Sequence, residues 1–241
     1  MTCIDATGLS FRQVNEAIAA AKDADVLLEH ALGQRYIGAG SAGRRIRIEG
    51  VPGNALGAYL DGTRIEVAGN AQDATGDTMN DGEIVIHGSC GDAAGYAMRG
   101  GRIFVRGNVG YRAGIHMKAY QEKIPVLIVG GEAGSFLGEY QAGGRIIVLG
   151  LGHESEPVVG NFTGTGMHGG AIYLRTQLQP PQLPPQVMMR RAEAAEMEAI
   201  AGDVRAWCAQ FGGDAEEILS DPFQILLPNT ANPYKQLYTH S

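Results

Sequence analysis

Residues 64–69 read Arg-Ile-Glu-Val-Ala-Gly, residues 83–88 read Glu-Ile-Val-Ile-His-Gly, and residues 102–107 read Arg-Ile-Phe-Val-Arg-Gly. In each stretch two apolar residues stand two positions apart and a glycine follows, and each stretch begins nineteen residues after the one before. Such short alternation is typical of a β-strand, and a fixed period is typical of a solenoid. These stretches therefore predict a coil of stacked strands.

The same apolar pair recurs on both sides of these three stretches, at Ile46/Ile48, Val126/Ile128, Ile146/Val148 and Ile172/Leu174. Gly50, Gly130 and Gly150 close three of these pairs, and Thr176 follows the last. Alternate side chains of a strand point to opposite faces, so the paired residues are expected to stack along the inside of the coil. The pattern predicts about seven turns between residues 38 and 176.

A second pattern, G-x-x-x-G-x-x-[Met/Leu], lies between the strands, and we call it the corner segment. Gln72 replaces its first glycine in one repeat, and Gln141 replaces its methionine in another. Glycine reaches positive φ without a steric penalty, which suits a sharp corner. The predicted fold is therefore an all-β, single-stranded β-helix with a GXXXG repeat of about nineteen residues. Its structural repeat glycines are Gly57, Gly76, Gly95, Gly114, Gly138 and Gly164.

The flanking regions have different patterns. Ser10 and Gln13 fit a capping box, and Phe11, Val14 and Ile18 follow at helical spacing, so residues 1–37 are predicted to be an N-terminal helical cap around a helix from about 10 to 22. Residues 177–186 are rich in proline and are predicted to be an extended linker. Residues 187–241 are predicted to be a helical C-terminal extension, because apolar residues recur at helical spacing at Ile200, Val204, Trp207 and Phe211.

Composition and charge exclude several classes of function. The net charge is −7 and basic runs are absent, which is not the footprint of a nucleic-acid-binding protein. The three cysteines, Cys3, Cys90 and Cys208, are far apart, and neither they nor the six histidines have a recognised metal-ligand spacing. Because the N-terminus has no signal-peptide pattern and no apolar run spans a bilayer, the expected location is the cytoplasm.

Two motifs are compatible with chemistry but have simpler explanations. Residues 38–43 match G-x-G-x-x-G, yet the following residues alternate like a strand, so a corner is predicted in place of a dinucleotide site. Asp61, Asp73, Asp77, Asp81 and Asp92 suggest a carboxylate cluster, although aspartate is also common at corners because it bonds to nearby backbone. The sequence therefore predicts no catalytic, cofactor-binding or metal-binding residues.

Residues 111–118 are richer in polar functional groups than the other corner segments, and a four-residue expansion of the repeat follows at 119–124. Insertions in solenoids usually form loops on one face, often the binding face. The candidate interface residues are Tyr111, Arg112, His116, Lys118 and Tyr120.

Long strings of this sequence resemble the GXGXG domain of glutamate synthase, in the form found as a separate polypeptide. The strings cover residues 33–38, 52–54, 69–73, 78–82 and 107–112, and the resemblance extends to residues 232–234. It implies a right-handed β-helix with no catalytic residues of its own. Its implied partners are a glutamine amidotransferase subunit and a synthase subunit that carries FMN and an iron–sulfur cluster. The implied function is to organise these two subunits for glutamate formation from glutamine and 2-oxoglutarate. Separately, exposed methionine and aromatic positions would predict self-association of this chain.

Two alternatives remain open. A related β-helix occurs as a subunit of N-methylglutamate synthase and of formylmethanofuran dehydrogenase, where a tungsten or molybdenum subunit accompanies it. The other alternative is an independent carbohydrate-active β-helical enzyme, which requires the corner aspartates to converge around an open cleft.

Overall fold

Strands make up most of the regular structure in the computed structural model, which describes residues 1–229. The strands are β1 (Thr2–Asp5), β2 (Asp25–Leu32), β3 (Arg45–Val51), β4 (Asp61–Val67), β5 (Asp81–Ile86), β6 (Arg102–Val105), β7 (Val126–Val129), β8 (Ala142–Val148), β9 (Gly169–Arg175), β10 (Val187–Arg191) and β11 (Phe223–Pro228). The helices are α1 (Phe11–Ala20), α2 (Ala194–Phe211) and α3 (Ala215–Ser220). The described part of the chain is thus mainly β, with few helices.

All eleven strands belong to one sheet in the order β1-β2-β3-β4-β5-β6-β7-β8-β9-β11-β10. Each strand from β1 to β9 pairs in parallel with the next, and Ile46, Ile65, Ile84 and Ile103 stand side by side. A second column of parallel bridges runs through Ala71, Cys90, Val109, Ala133 and Val159. Each repeat therefore returns the chain to the same place, one strand spacing further along.

The corner glycines occupy a backbone conformation that other residues rarely adopt. All six predicted repeat glycines have positive φ, and the N–H of each donates to a carbonyl of the preceding repeat. At Gly114, a Cβ atom would lie 2.4 Å from Cδ1 of Ile146. Glycine is thus needed here for both its φ and its small size.

The sheet buries two separate cores. The inner core contains the stacked Ile, Val and Met residues of the repeats. The outer core lies between the outer face of strands β5–β9 and the apolar face of α2, which includes Ile200, Val204 and Trp207. One outward column of the sheet, Arg45, Arg64, Glu83 and Arg102, is charged. The predicted C-terminal amphipathic helix thus packs on its own chain.

Polar contacts also hold α2 on the sheet, and Arg64 Nη2 donates to Gln210 Oε1 at 2.7 Å. The Asp203 side chain is only 5 % exposed, and its carboxylate accepts from Arg145 at 2.7 Å. The Trp207 indole N–H donates to the carbonyl of Val105 at 3.0 Å. Buried polar groups without partners are costly, so these contacts fix one position of the helix on the sheet.

The N-terminal region was predicted to be a helical cap, but it contains two strands as well as the helix. The capping box at Ser10 and Gln13 is present and α1 follows it, but β1 and β2 extend the parallel sheet. Val26 and Leu28 pair with Ile46 and Ile48. The spacing here is twenty residues and a closing glycine is lacking, which explains why the repeat pattern missed this strand.

The predicted inward pair Val126/Ile128 is wrong by one residue. Leu127 and Val129 pair with Ile103 and Val105 on the inner face, while Val126 and Ile128 belong to the outer core. A one-residue shift moves every side chain to the opposite face. The predicted closing glycine shifts likewise, because Gly131 and not Gly130 donates its N–H to Gly107. All four residues of β7 are buried, so alternation could not reveal the register.

The C-terminal region likewise combines helices with strands, whereas helices alone were predicted. The predicted helix through Ile200 and Phe211 is present as α2 and ends at Gly212 with φ 86°. In addition, β11 pairs antiparallel with β9 and with β10. The proline-rich segment covers the last corner, where Phe162 N donates to Gln182 O at 2.9 Å. The predicted resemblance at residues 232–234 lies outside the described residues.

Candidate interaction surface

The corner segments build two rows of outward positions along the solenoid. Row one contains Tyr36, Ala55, Ala74, Ala93, Arg112, Phe136 and Phe162, and row two contains Gly40, Tyr59, Thr78, Ala97, His116 and Tyr140. At every one of these positions φ is positive, and the N–H donates to a carbonyl of the following repeat or, for Phe162, to that of Gln182 in the proline-rich segment. A left-handed conformation costs a non-glycine residue roughly 1 kcal/mol, which the inter-repeat hydrogen bonds offset.

Aromatic side chains are concentrated in the last repeats of these rows. We call this cluster the aromatic ridge: Tyr96, Arg112, His116, Phe136, Tyr140 and Phe162. The rings of His116 and Tyr140 stack at 5.2 Å, and those of Phe136 and Phe162 stack at 5.1 Å. Tyr96 meets His116 edge to face at 5.9 Å. The ridge is therefore an ordered array of rings on the surface.

Arg112 contacts its row neighbour Phe136 and pairs with Glu139. Its guanidinium lies 4.9 Å from the centre of the Phe136 ring and 3.0 Å from the Glu139 carboxylate. The Glu139 side chain is only 13 % exposed, whereas Arg112 is 51 % exposed. The ion pair and the cation–π contact hold the half-exposed guanidinium over the Phe136 ring.

The structure brings only part of the predicted interface into the ridge. Arg112 and His116 belong to it, and the exposed Tyr111 lies beside Arg112 in the chain. Lys118 is exposed outside the two rows, at the position that Arg99 occupies in the preceding repeat. Tyr120 is exposed in the repeat expansion. Sequence reasoning missed Phe136 and Phe162, although each follows a corner glycine by two residues, as Arg112 does.

The repeat expansion folds back over earlier repeats. Lys123 Nζ lies 2.8 Å from the Asp81 carboxylate, 3.3 Å from the carbonyl of Asn80 and 3.9 Å from Asp61. The hydrogen bond from Lys123, followed by that from the Gly82 N–H, lowers the pKa of Asp81, and the pKa of Lys123 is raised by the same contact with Asp81. The expansion is thus a fixed part of the surface.

The five corner aspartates have separate protein partners: Asp61 and Asp81 face Lys123, Asp77 accepts from the Thr78 hydroxyl, and Asp73 and Asp92 bond to the backbone. Asp73 Oδ1 accepts from the backbone N–H of Asp92 at 2.9 Å, and Asp92 Oδ1 accepts from that of Tyr111 at 2.8 Å. Asn70 and Asn108 do the same for Ser89 and Glu132. These side chains form a ladder that ties each repeat to the next, which is a structural role.

Residues 1–229 contain no group of three or more metal-ligating side chains. Burial raises the pKa of the Cys90 thiol to about 12, so this cysteine is not a reactive thiolate. Residues 38–43, which match the dinucleotide-binding pattern, form a corner, and the element that follows them is the strand β3 and not a helix. Among the described helices, none has the length and apolar character needed to cross a membrane.

Comparison with known proteins gives three likenesses. The family model described as the GXGXG motif matches residues 13–229. An uncharacterized protein of Methanocaldococcus jannaschii is 42% identical over 249 residues, which covers 98% of this chain and 95% of that protein. In a solved structure of the formyltransferase/hydrolase complex from Methylorubrum extorquens with methylofuran, one chain has the same fold. Its TM-score is 0.66 at 18% identity, over 92% of this chain and 89% of that one.

Proposed function

The chain belongs to the GXGXG motif family, and from this premise we propose that it is a non-catalytic structural subunit of a multi-subunit enzyme. The observation that carries the proposal is the aromatic ridge. The ridge places aromatic rings beside the half-exposed Arg112, which lies over the Phe136 ring. Aromatic residues and arginine are enriched where proteins bind one another. Asp73 and Asp92, by contrast, are engaged by the protein's own backbone.

The family also supports the finer geometry that we propose, a right-handed β-helix of about seven turns over residues 38–176. Parallel pairing of β3–β9 and the corner hydrogen bonds support a coil. We keep 177–186 as a linker and 1–37 and 187–241 as the terminal units, each of which combines helix with strands. The terminal strands and helices would then protect the ends of the coil.

Two assemblies are supported by different observations. The solved-structure likeness favours an assembly of the formylmethanofuran dehydrogenase type, because the similar chain is part of a formyltransferase/hydrolase complex. At 18% identity that likeness is one of fold, so the assembly itself is a proposal. The strings at residues 33–38 and 78–82 favour glutamate synthase, with N-methylglutamate synthase as a relative.

In either assembly we propose that the cofactors are bound by partner subunits. For glutamate synthase these are FMN and an iron–sulfur cluster beside an amidotransferase, and for the other assembly they include tungsten or molybdenum. The buried Cys90 and Cys208, whose pKa values are both raised by burial, support this assignment. The proposed location is the cytoplasm.

Affinity purification of the tagged full chain from its native cell tests the proposal. Mass spectrometry identifies co-purifying subunits, metal analysis finds iron, tungsten or molybdenum, and glutamate formation is assayed with glutamine, 2-oxoglutarate and a reductant. Recovery with an amidotransferase and a flavin protein supports glutamate synthase, and recovery with a tungsten or molybdenum subunit supports the other assembly. Recovery of the chain alone, with activity on a polysaccharide, refutes the structural role.

A further inference from the structure

The first corner of the solenoid has no corner before it. In every later repeat the corner backbone bonds to the preceding corner at four points: two carbonyls accept and two N–H groups donate. In the second corner the accepting carbonyls are those of Asn54 and Ala58, and the donating N–H groups are those of Gly57 and Asp61. These four bonds recur from corner to corner along the stack, so the first corner, residues 34–43, has an open edge.

The equivalent groups of the first corner, nineteen residues earlier, are the carbonyls of Arg35 and Ala39 and the N–H groups of Gly38 and Ala42. One of the four is satisfied, because Asn15 Oδ1 on α1 accepts from Gly38 N at 3.0 Å. Within residues 1–229 the other three have no protein hydrogen-bond partner. A row of free backbone groups is a template for pairing with another chain.

A groove runs along this edge. It lies between α1 and the first corner, it has a volume of about 670 Å³, and its walls include Phe11, Asn15, Ala39 and Ala42. This size is in the range of sites that hold a ligand. The helix α1 covers the inner core through Val14 and Ile18 but leaves the corner backbone accessible.

We propose that this groove binds a short segment of a partner subunit, which adds to the solenoid in the place of the missing corner and takes up the turn conformation of the other corners. Its N–H groups bond to the carbonyls of Arg35 and Ala39, and its carbonyl accepts from Ala42 N. The inference rests on the proposed function, because it requires a partner subunit.

The charges around the groove favour an acidic side chain in that segment. Arg12 and Arg35 are exposed beside the Phe11–Tyr36 pair, and neither forms an ion pair with any residue from 1 to 229. Arg44 is held by the carbonyls of α1 and its C-terminal loop, and Glu16 is the single carboxylate of the groove lining. The local excess of arginine in a chain of net charge −7 attracts an acidic partner.

This chain itself is a poor occupant. The last described strand, β11, is seven strand positions from β3, or about 34 Å, so the C-terminal end of the described residues lies far from the groove. End-to-end stacking of a second copy is opposed by the segment 177–186, which already covers the last corner and whose prolines lack N–H donors.

The test uses the intact complex purified from the native cell. A photo-crosslinking phenylalanine analogue replaces Ala39, which lines the groove, and in a matched control it replaces Ala20, an exposed alanine on α1 outside the lining. Hydrogen exchange of residues 34–43 is measured in the complex and in the free chain. We expect at least roughly tenfold slower exchange at Ala42 in the complex. We also expect a cross-link from position 39, but not from position 20, to an acidic segment of one partner subunit.

A cross-link from position 39 to this chain or to nucleic acid overturns the inference, and so does unchanged exchange of residues 34–43 in a complex that contains its partners. The variant Arg12→Glu keeps the test independent of the analogue, because it is expected to weaken protection at Ala42 without dissolving a complex held also by the ridge. If the chain purifies without any partner, the proposed function fails, and this result is distinct from a complex with an unprotected groove.

Discussion

The imidazole of His116 and the ring of Tyr140 are stacked, with centroids 5.2 Å apart and planes inclined by 10°. The two residues hold the same position in successive repeats, since the backbone N–H of His116 donates to Glu139 O and that of Tyr140 donates to Thr165 O, each in the repeat that follows. The repeat spaces any two such side chains at about the distance of stacked rings. Earlier in the same row Thr78 and Ala97 interrupt the aromatic series, so the ridge is a local property of the sequence on a uniform scaffold.

The ridge predicts that Tyr140→Ser weakens recovery of partner subunits by at least about tenfold, because exposed aromatic residues at a packed interface often contribute 2 kcal/mol or more. Tyr59→Ser is the matched control: Tyr59 is 58% exposed, stands in the same row and has no ring contact within residues 1–229. Quantitative pull-down of each tagged variant measures the difference. Equal recovery for both variants would remove the ridge from the interface.

The corner glycines predict a large loss of stability on substitution. Gly114→Ala places a methyl group 2.4 Å from Ile146 Cδ1 at φ 69°, and we expect the free energy of unfolding to fall by more than about 1 kcal/mol. Gly202→Ala is the control, because Gly202 lies in α2 with open space around it. There alanine is expected to stabilise by roughly 0.5–1 kcal/mol. Denaturant unfolding measures both, and equal shifts would contradict the steric argument.

Repetition made the central part of the fold predictable, because a spacing of nineteen residues marks the strands from β3 to β6 and the corner glycines from Gly57 to Gly114. The pattern gives no guide where the physical signal changes. Val26 and Leu28 face inward in β2 but stand twenty residues before their partners. In β7 both faces are buried, since α2 covers the outer one, and a uniformly apolar strand does not reveal its register.

The surface was less predictable than the fold. Arg112 and His116 were found because residues 111–118 are polar. Phe136 lies against Arg112 and Tyr140 against His116, but the repeat between them is longer than nineteen residues, so the regular spacing does not align them. The free backbone groups of residues 34–43 have no signature in residue type at all. They follow from the hydrogen bonds that every later corner makes, which only the structure shows.

The contact between α2 and the sheet predicts that Asp203→Asn destabilises the protein. Asp203 is 5% exposed and Arg145 25% exposed, so loss of the pair is expected to cost about 2–3 kcal/mol, below the usual range for a fully buried pair. Trp207 is the single tryptophan and packs on the same face, so its fluorescence reports unfolding. Glu216→Gln, at an exposed pair with Arg205, should cost less than about 0.5 kcal/mol. Equal costs for the two variants would show that Asp203 is not an anchor.

The corner ladder predicts that Asp92→Asn is nearly neutral and Asp92→Ala costs about 1 kcal/mol. The amide keeps the oxygen that accepts from the N–H of Tyr111, whereas alanine leaves that N–H without its partner. A catalytic carboxylate behaves differently, because the amide abolishes its proton transfer. Thermal unfolding and any activity of the purified complex are compared for both variants. Loss of activity with Asp92→Asn at unchanged stability would reopen the carbohydrate-active alternative.

The salt bridge between Lys123 and Asp81 predicts that the stability of the repeat expansion changes little between about pH 5 and pH 9. The pKa of Asp81 is lowered, so its contribution is complete above the ordinary aspartate value and is lost as the pH falls through the lowered one. The pKa of Lys123 is raised, so its contribution is complete below the ordinary lysine value and is lost only as the pH rises through the raised one.

Because both groups stay charged within that pH window, a substitution that removes the Asp81 charge is needed to test the salt bridge. We expect Asp81→Asn to speed proteolysis of residues 119–124 a few-fold at neutral pH, because the segment loses the 2.8 Å contact that holds Lys123. Asp61→Asn is the matched control, since Asp61 lies 3.9 Å from the same ammonium and should matter less. If both variants match the unsubstituted chain, the backbone bonds of Tyr120 and Lys123 alone hold the expansion in place.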